Sequence, residues 1–181
     1  LRPGAAFLRV EGPARDVLRV ERIALNFLQR LCGIATHTRR WVEALSGTRV
    51  RLLDTRKTTP GWRTLEKYAV RAGGAENHRM SLAGAVLLKD NHEGILRALG
   101  RGSMVDWVRA LRRAAPRKFL EVEVASRREF LEAVSTGVDA VLLDNFRPAD
   151  LRWAVKERDR LGLRVLLEAS GGLRLESARK V

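Results

Sequence analysis

The stretch FLEVEVASRREFLEAVSTGVDAVLLDN, residues 119–145, decides the fold class, because two short apolar runs in it flank a segment of helical length. The runs Phe119–Val124 and Ala140–Leu143 are rich in aliphatic residues and predict strands. Between them, Arg127–Ser135 predicts a helix, and Gly137 follows where a helix end needs a positive φ. A strand, a helix and a strand in this order predict two parallel strands joined by a helical crossover.

The same alternation continues on both sides of this stretch. Further apolar runs predict strands at Val50–Leu53, Ala85–Leu88 and Arg164–Leu167. Further helices, the first of them either one long helix or two broken ones, are predicted at Val17–Leu45, Thr64–Ala72, Ile95–Leu99, Ser103–Ala115 and Pro148–Arg160. Repeated strand–helix units predict a parallel barrel or a doubly wound sheet. Because the sequence has neither a G-x-G-x-x-G nor a G-K-[ST] motif, the barrel is the preferred prediction.

The charge is strongly basic, with a formal net charge of +14 in 181 residues, and makes nucleic-acid binding one alternative. The basic residues, however, are scattered through every segment rather than gathered in one tract. With one Tyr and five Phe, few rings are present for stacking on bases. The composition therefore favours a pocket for small anions over a basic nucleic-acid-binding domain.

The cysteine count and the chain ends bear on compartment and completeness. A lone cysteine, Cys32, excludes an internal disulfide and indicates a reducing cytoplasmic compartment, and its apolar neighbours Leu31 and Ile34 predict a core position. No apolar run approaches the roughly 18 residues that a membrane-spanning helix requires. The sequence begins at Leu1 rather than Met and ends at Val181 soon after a Gly-Gly turn, so we expect a piece of a longer protein.

Polar side chains lie at or just after the carboxyl end of each predicted strand, the edge where barrel enzymes place their active sites. In chain order they are Arg56 and Lys57, Lys89, Glu123, Asp144 and Asn145, and Ser170-Gly171-Gly172. One charged strand end is ordinary, but polar groups at successive strand ends are difficult to explain as solvated surface. The sequence therefore predicts a cationic site with two separate carboxylates, Glu123 and Asp144, which suits a polyanionic substrate together with Mg²⁺ or sugar hydroxyls.

Simpler structural explanations stay open for the cations. Arg56 and Lys57 lie in the stretch DTRKTTP, residues 54–60, which is either an exposed loop or an anion site made of two cations and several hydroxyls. His78 and Arg79 follow a Gly-Gly turn and are either a helix cap or anion ligands.

The strand ends carry the same ambiguity. Lys89 ends an apolar run, so it should meet an anion, supplied either by the protein or by a substrate. Glu121 and Glu123 share one face of their strand and need partners, which are either basic side chains or a bound ligand. No spaced cluster of His or Cys accompanies these carboxylates, which argues against a zinc site.

In combination these motifs resemble the quinolinate phosphoribosyltransferase family. They span nearly the whole chain in the family's order: Glu21–Phe27, Gly33–Thr36, Asp54–Gly61, Asn77–Arg79, Lys89–His92, Glu121–Glu123, Leu143–Phe146 and Glu168–Gly172. The resemblance implies a glycosyltransferase, more narrowly a pentosyltransferase, that condenses quinolinate with phosphoribosyl pyrophosphate. Pyrophosphate and CO₂ are released and nicotinate mononucleotide is formed, in de novo NAD biosynthesis. The resemblance further implies Mg²⁺ and a homodimer or higher oligomer with shared active sites.

The family fold implied by the resemblance is an α/β sandwich domain followed by an incomplete parallel α/β barrel. On this pattern residues 1–27 are the end of the sandwich domain with a connecting helix, and residues 28–181 form the barrel domain. We expect most of the sandwich domain and a closing carboxyl-terminal segment to lie outside this sequence.

The resemblance also implies roles for individual residues. Those expected to surround the quinolinate carboxylates are Arg56, His78, Arg79 and Lys89. Those expected to be catalytic are Lys57, near the pyrophosphate or the reacting centre, and the two carboxylates that hold ribose hydroxyls and Mg²⁺, Glu123 and Asp144. The 5′-phosphate is expected at Ser170, Gly171 and Gly172. Thr55 adds a hydroxyl to the substrate site, and Arg22 matches an arginine donated across the dimer.

One alternative within the family is a paralogue associated with molybdenum transport, which shares the fold and many motifs. The complete set of cations favours the quinolinate enzyme. The alternative from another class is the basic nucleic-acid-binding domain, whose duplex affinity would fall steeply with salt.

Overall fold

The computed structural model describes residues 2–180, and the chain in this range forms two compact units. The first unit runs up to Val42 and includes Arg51–Asn77. The second unit comprises Glu43–Val50 and the residues from His78 onward. Within the described range, no helix is both long enough and apolar enough to cross a membrane.

Two helices make up most of the first unit: α1 (Ala14–Ala44) and α2 (Arg63–Ala72). The segment Val17–Leu45, predicted as one long or two broken helices, therefore forms a single helix. The ring of Trp62, immediately before α2, stacks on Phe27 of α1 with 4.5 Å between the ring centroids. This contact anchors the beginning of α2 against α1.

The predicted strand Val50–Leu53 is wrong, because this segment forms only an isolated parallel bridge between Leu53 and Glu76. The N–H of Glu76 donates to Leu52 at 2.9 Å, and the N–H of Asp54 donates to Glu76 at 3.2 Å. A single residue, Glu76, supplies the partner backbone, so the ladder cannot extend into a strand.

The second unit is built on a four-stranded parallel sheet whose strand order follows the chain. The strands are β1 (Val86–Leu88), β2 (Leu120–Val124), β3 (Ala140–Asp144) and β4 (Leu166–Ser170). The helices of the unit are α3 (Asp90–Ala98), α4 (Met104–Ala114), α5 (Arg127–Ser135) and α6 (Pro148–Arg160), with a 3-10 helix at Leu175–Lys180. The predicted α/β class with a parallel sheet is confirmed. Sequential strand order is the order of an α/β barrel, whose closure stays a prediction.

The two faces of this sheet differ in character. Alternate strand residues such as Val122 and Val141 are fully buried with Phe130 of α5 and Ala154 of α6 in one apolar core. The residues between them point to the opposite face. That face, which we call the polar face, carries Glu121, Glu123, Asp144, Glu168 and Ser170.

Two predicted boundaries shift for identifiable reasons. The helix predicted at Ile95–Leu99 begins five residues earlier, at Asp90, where the N–H of Lys89 donates to Nδ1 of His92 at 3.0 Å. The strand predicted at Arg164–Leu167 starts and ends later, because pairing with β3 sets its register from Leu166 onward.

The prediction that Cys32 lies in the core is wrong, because the residue is exposed on α1. The apolar neighbours were a poor guide, since most of this long helix is exposed. The predicted boundary between residues 27 and 28 falls within α1, and the division into residues 1–27 and 28–181 stays a prediction. The first and last residues of this division, Leu1 and Val181, lie outside the described residues.

Candidate active site

An ion pair lies where β1 and β2 end on the polar face. Lys89 follows β1 directly, and its ammonium forms a salt bridge with the carboxylate of Glu123 on β2. The side chains keep 39% and 12% of their surface exposed, so both remain reachable from solvent. The prediction that Lys89 meets an anion is thus confirmed, with Glu123 as the partner in the protein.

The ends of β3 and β4 pack closely against each other. Asp144 and Ser170 are register partners, and the N–H of Asn145 donates to the carbonyl of Ser170 at 2.8 Å. A Cβ placed on Gly171 would lie 2.2 Å from Oδ1 and 2.9 Å from the backbone nitrogen of Asn145, so this contact requires glycine. The predicted residues Asp144, Ser170 and Gly171 are therefore neighbours, with Gly172 directly after them.

His78 lies against two carboxylates of the polar face. Its Nε2 is 3.1 Å from Oε2 of Glu121 and 3.5 Å from Oε2 of Glu168. The side chain of Glu121 is only 2% exposed, whereas His78 and Glu168 keep 16% and 25%. The three ligand atoms lie within 4.8 Å of one another, so the set also has the composition of a divalent-metal site.

The contacts of His78 define which ring nitrogen carries a proton. The backbone N–H of Arg79 donates to Nδ1 at 2.8 Å, so Nδ1 is an acceptor and Nε2–H donates to Glu121. Hydrogen bonds to Glu121 and Glu168 raise the pKa of His78 to about 9 and favour the cation, whereas the Arg79 N–H favours the neutral ring. Both of these forms carry a proton on Nε2, the nitrogen that faces the two carboxylates.

In the first unit, the stretch Asp54–Gly61 forms a loop that α2 holds through its polar side chains. Arg63 donates from Nε to the hydroxyl of Thr58 at 3.2 Å and from Nη2 to the carbonyl of Arg56 at 3.3 Å. Arg63 therefore connects the middle of the loop to the first turn of α2.

The beginning of the loop is held by a buried ion pair. Asp54 forms a salt bridge with Lys67 of α2, and the two side chains are 7% and 2% exposed. Asn77 donates from Nδ2 to Oδ2 of Asp54 at 2.6 Å and to the carbonyl of Lys67 at 3.0 Å. Charges buried to this extent require such partners, so the pair and the amide act together.

The end of the loop is held by Glu66 of α2. The carboxylate of Glu66 accepts two hydrogen bonds from Thr59, one from the backbone N–H at 3.2 Å and one from the hydroxyl at 2.7 Å. Arg30 of α1 donates to the same carboxylate from Nε at 3.2 Å and from Nη2 at 2.8 Å. Burial raises the pKa of Glu66, but the hydrogen bonds from Arg30 and Thr59 outweigh it and hold the pKa below its ordinary value.

Arg56 has a buried side-chain nitrogen, Nε. Its Nε is shielded from solvent and has no hydrogen-bond partner within residues 2–180. Buried guanidinium N–H groups normally have an acceptor, and this fork suits a carboxylate or phosphate. Thr55 and Lys57 on either side are exposed. The Nε–H of Arg56 is therefore a donor that an anion could use.

Comparison with known protein families covers both parts of the chain. Residues 34–181 match the family described as quinolinate phosphoribosyl transferase, C-terminal domain, and residues 1–32 match the N-terminal domain of the same enzyme. The chain belongs to the quinolinate phosphoribosyl transferase family. Its resemblance to that family, noted from the motifs, is thereby confirmed.

Individual members of the family give the same result. The Mycobacterium leprae protein named nicotinate-nucleotide pyrophosphorylase (carboxylating) is 46% identical over 178 residues, which are 98% of this chain and 61% of that protein. The human protein of the same name is 42% identical, over 97% of this chain and 58% of that protein. The chain therefore spans about three fifths of the length of these curated relatives.

Solved structures of the family share the fold. The crystal structure of NadC from Streptococcus pyogenes has a TM-score of 0.82 and 43% identity, covering 92% of this chain and 56% of its own. The nicotinate-nucleotide pyrophosphorylase from Francisella tularensis has a TM-score of 0.84 and 40% identity, covering 92% and 57%.

The family residues predicted from the motifs divide between the two units. The second unit contains His78, Arg79, Lys89, Glu123, Asp144, Ser170, Gly171 and Gly172, and the first contains Arg22, Thr55, Arg56 and Lys57. Arg22 is exposed on α1.

The supporting residues were not predicted as part of the site: Arg30, Glu66, Lys67, Glu121 and Glu168. The position of Glu121 and Glu123 on one face of their predicted strand was a signal for Glu121. Glu168 directly follows the predicted strand Arg164–Leu167 and begins the motif Glu168–Gly172, so its position was a signal as well. The sequence offered no comparable signal for Glu66 or Lys67.

Proposed function

We propose that the protein is a pentosyltransferase that transfers the phosphoribosyl group of phosphoribosyl pyrophosphate to quinolinate, in NAD biosynthesis. The C1′–O bond to pyrophosphate breaks and a C1′–N bond to the pyridine forms. CO₂ then leaves C2, the electron pair stays on that carbon, and a proton takes the vacated position to give nicotinate mononucleotide. Family membership and the name shared by the bacterial and human relatives support this proposal.

The observation in the chain itself that carries the proposal is the buried Nε of Arg56, which lacks a protein acceptor in the described range. A buried donor without a partner costs about 1–3 kcal/mol, and an anionic ligand would remove that cost. The loop around it is held at both ends by buried carboxylates, Asp54 and Glu66, so the donor is pre-positioned.

The acceptor has two adjacent carboxylates and therefore needs several cations. In the first unit, the residue that we propose to bind the acceptor carboxylates is Arg56. In the second unit, these residues are His78, Arg79 and Lys89. Because Lys89 is paired with Glu123, an incoming carboxylate would compete with Glu123 for the same ammonium. These cations also stabilise the negative charge left on the ring when CO₂ departs.

The donor half of the reaction is proposed for the carboxylates and the glycine turn. Departure of pyrophosphate gives C1′ oxocarbenium character, which Glu123 and Asp144 would stabilise while accepting hydrogen bonds from the ribose hydroxyls. Lys57, which is exposed, would meet the pyrophosphate. The 5′-phosphate is assigned to Ser170 and the turn Gly171-Gly172, whose φ values of 83° and 59° let the backbone approach a ligand closely.

Mg²⁺ is the proposed metal, with Glu123 and Asp144 as its protein ligands. Both offer carboxylate oxygens, the donor type that Mg²⁺ prefers, and they occupy adjacent strands of the polar face. These carboxylates already have partners in the protein: Lys89 forms a salt bridge with Glu123, and the side-chain amide of Asn145 lies 2.8 Å from Asp144. A bound Mg²⁺ would share the carboxylate oxygens with these partners or displace the partners. When bound, the ion neutralises charge on the pyrophosphate.

The assembly that we propose is a homodimer or higher oligomer with shared active sites. Large apolar side chains on α1 are exposed, among them Leu18 at 70% and Ile23 at 61%, as at many subunit interfaces. Arg22 lies between them in sequence and is the candidate for donation to a partner's site. We place the protein in the cytoplasm, because the exposed thiol of Cys32 suits a reducing compartment.

The comparisons do not favour the two alternatives, the molybdenum-associated paralogue and the nucleic-acid-binding domain. The relatives described above carry the enzyme's name and match this chain over nearly its whole length.

The test is turnover by the purified protein with quinolinate, phosphoribosyl pyrophosphate and Mg²⁺, followed as CO₂ release. We expect release that depends on all three, with Arg56→Gln lowering kcat/KM for quinolinate about tenfold or more. Arg128→Gln, at an exposed position of α5, is the matched control and should leave the rate unchanged. No CO₂ release above background would contradict the proposed function.

A further inference from the structure

The side chain of His78 is fixed from both ends of its ring. On one side Nε2 faces Glu121 and Glu168 of the sheet, and on the other Nδ1 accepts the backbone N–H of Arg79. Arg79 is also held through its side chain, because Nη1 donates to the carbonyl of Ala85 at 2.8 Å. The ring is therefore a rigid link between two strand carboxylates and the peptide of Arg79.

We propose that Glu121 and Glu168 are positioning residues for the acceptor carboxylates, acting through His78. By accepting a hydrogen bond from Nε2–H they fix the orientation of the ring, and the ring in turn fixes the peptide that carries Arg79. This proposal rests on the proposed function, in which His78 and Arg79 bind quinolinate, and it assigns a role to two residues that the proposed function leaves unused.

The burial of Glu121 argues that its role is more than surface charge. A carboxylate whose side chain is 2% exposed is expensive to keep in a sheet, and an aliphatic residue would pack at this position of β2 at lower cost. Burial raises the pKa of Glu121, and the hydrogen bond with Nε2 of His78 at 3.1 Å opposes that rise and favours the ionised carboxylate. Glu168, at 3.5 Å and 25% exposed, is the weaker of the two contacts.

A metal ion is the competing explanation, since one imidazole and two carboxylates are suitable ligands for Zn²⁺ or Mn²⁺. In a metal site Nε2 would bind the ion and could not carry a proton. In the arrangement described here, Nε2 carries the proton and Nδ1 accepts from Arg79. The two explanations therefore differ in the protonation of one identifiable atom.

The kinetic experiment compares the wild-type protein with Glu121→Gln, His78→Gln and the double variant. Glu121→Gln should raise KM for quinolinate about tenfold or more, as loss of an orienting partner commonly does, and leave KM for phosphoribosyl pyrophosphate within about twofold. In the His78→Gln background, the same substitution should have little further effect, because it acts through His78. Glu176→Gln, at an exposed position of the 3-10 helix, is the matched control and should change neither constant.

Equal increases in both KM values, or additive effects in the double variant, would show a merely structural role for Glu121 and overturn the proposal. Wild-type turnover in the same assay tests the proposed function separately. The proposal also has a readout that needs no turnover, the ¹⁵N NMR spectrum of the His78 ring in the free protein.

We expect a protonated Nε2 in the wild type and a loss of this preference in Glu121→Gln. An unprotonated Nε2 in the wild type, or Zn²⁺ binding that Glu121→Gln abolishes in the free protein, would overturn the positioning role.

Discussion

Lys67→Met should destabilise the protein by about 3–5 kcal/mol, because it removes the ammonium from a buried ion pair and leaves the carboxylate in place. Lys67 and Asp54 are 2% and 7% exposed, so water cannot replace the lost partner without opening the structure. The amide of Asn77, 2.6 Å from Asp54, compensates only part of the charge. A loss of this size is large beside the roughly 5–15 kcal/mol by which domains are stable.

The assay is urea denaturation at neutral pH, followed by far-ultraviolet circular dichroism, with the free energy of unfolding extrapolated to water. Lys156→Met makes the same chemical change at an exposed position of α6 and should cost less than about 0.5 kcal/mol. The double variant Asp54→Asn/Lys67→Met should recover much of the loss, since it leaves no buried carboxylate. If Lys67→Met costs no more than Lys156→Met, or if the double variant is no more stable than Lys67→Met, the reasoning about the buried pair is refuted.

Three further predictions concern single side chains. Gly171→Ala should destabilise the protein by about 1–3 kcal/mol more than Gly137→Ala in the same urea assay, because both have a positive φ but only at Gly171 would a Cβ meet Asn145; equal losses would contradict the close contact. Glu66→Gln should flatten the acid side of the stability profile measured by urea denaturation from pH 3 to 7. The folded pKa of Glu66 lies below its ordinary 4.5, so its contribution is present above that pH and lost as the pH falls below it; an unchanged acid limb would refute this. Arg79→Ala should weaken quinolinate binding, measured by calorimetry, far more than phosphoribosyl pyrophosphate binding, and equal losses would contradict its assigned role.

Local periodicity was sufficient to predict several elements of the second unit. Helices α5 and α6 occupy the predicted ranges Arg127–Ser135 and Pro148–Arg160, because their apolar spacing and flanking residues act within a few positions of the chain. The parallel arrangement of the strands followed from the same alternation. Val50–Leu53 failed as a strand, because a strand also requires a partner, and Glu76 supplies only one bridging residue.

For the candidate site, the sequence predicted which charged groups require a partner, but not which residues are the partners. The apolar run before Lys89 indicated that its ammonium must meet an anion, and the structure supplies Glu123, 34 residues away. Contacts between Arg30 and Glu66 and between His78 and Glu121 join residues 36 and 43 positions apart. Spacing along the chain carries no information on such pairs, because they form only when separate elements pack.

The sequence alone was therefore enough for the parallel α/β class, for the polar residues at the strand ends and for the motifs of the family. Hydrophobic period and motif order are properties of the chain itself, and they do not depend on packing. The tertiary structure decided which carboxylates support which cations: Asp54 with Lys67, Glu123 with Lys89, and Glu121 with His78. Burial makes these pairings necessary, since a charge removed from water is stable only beside a partner that packing has placed there.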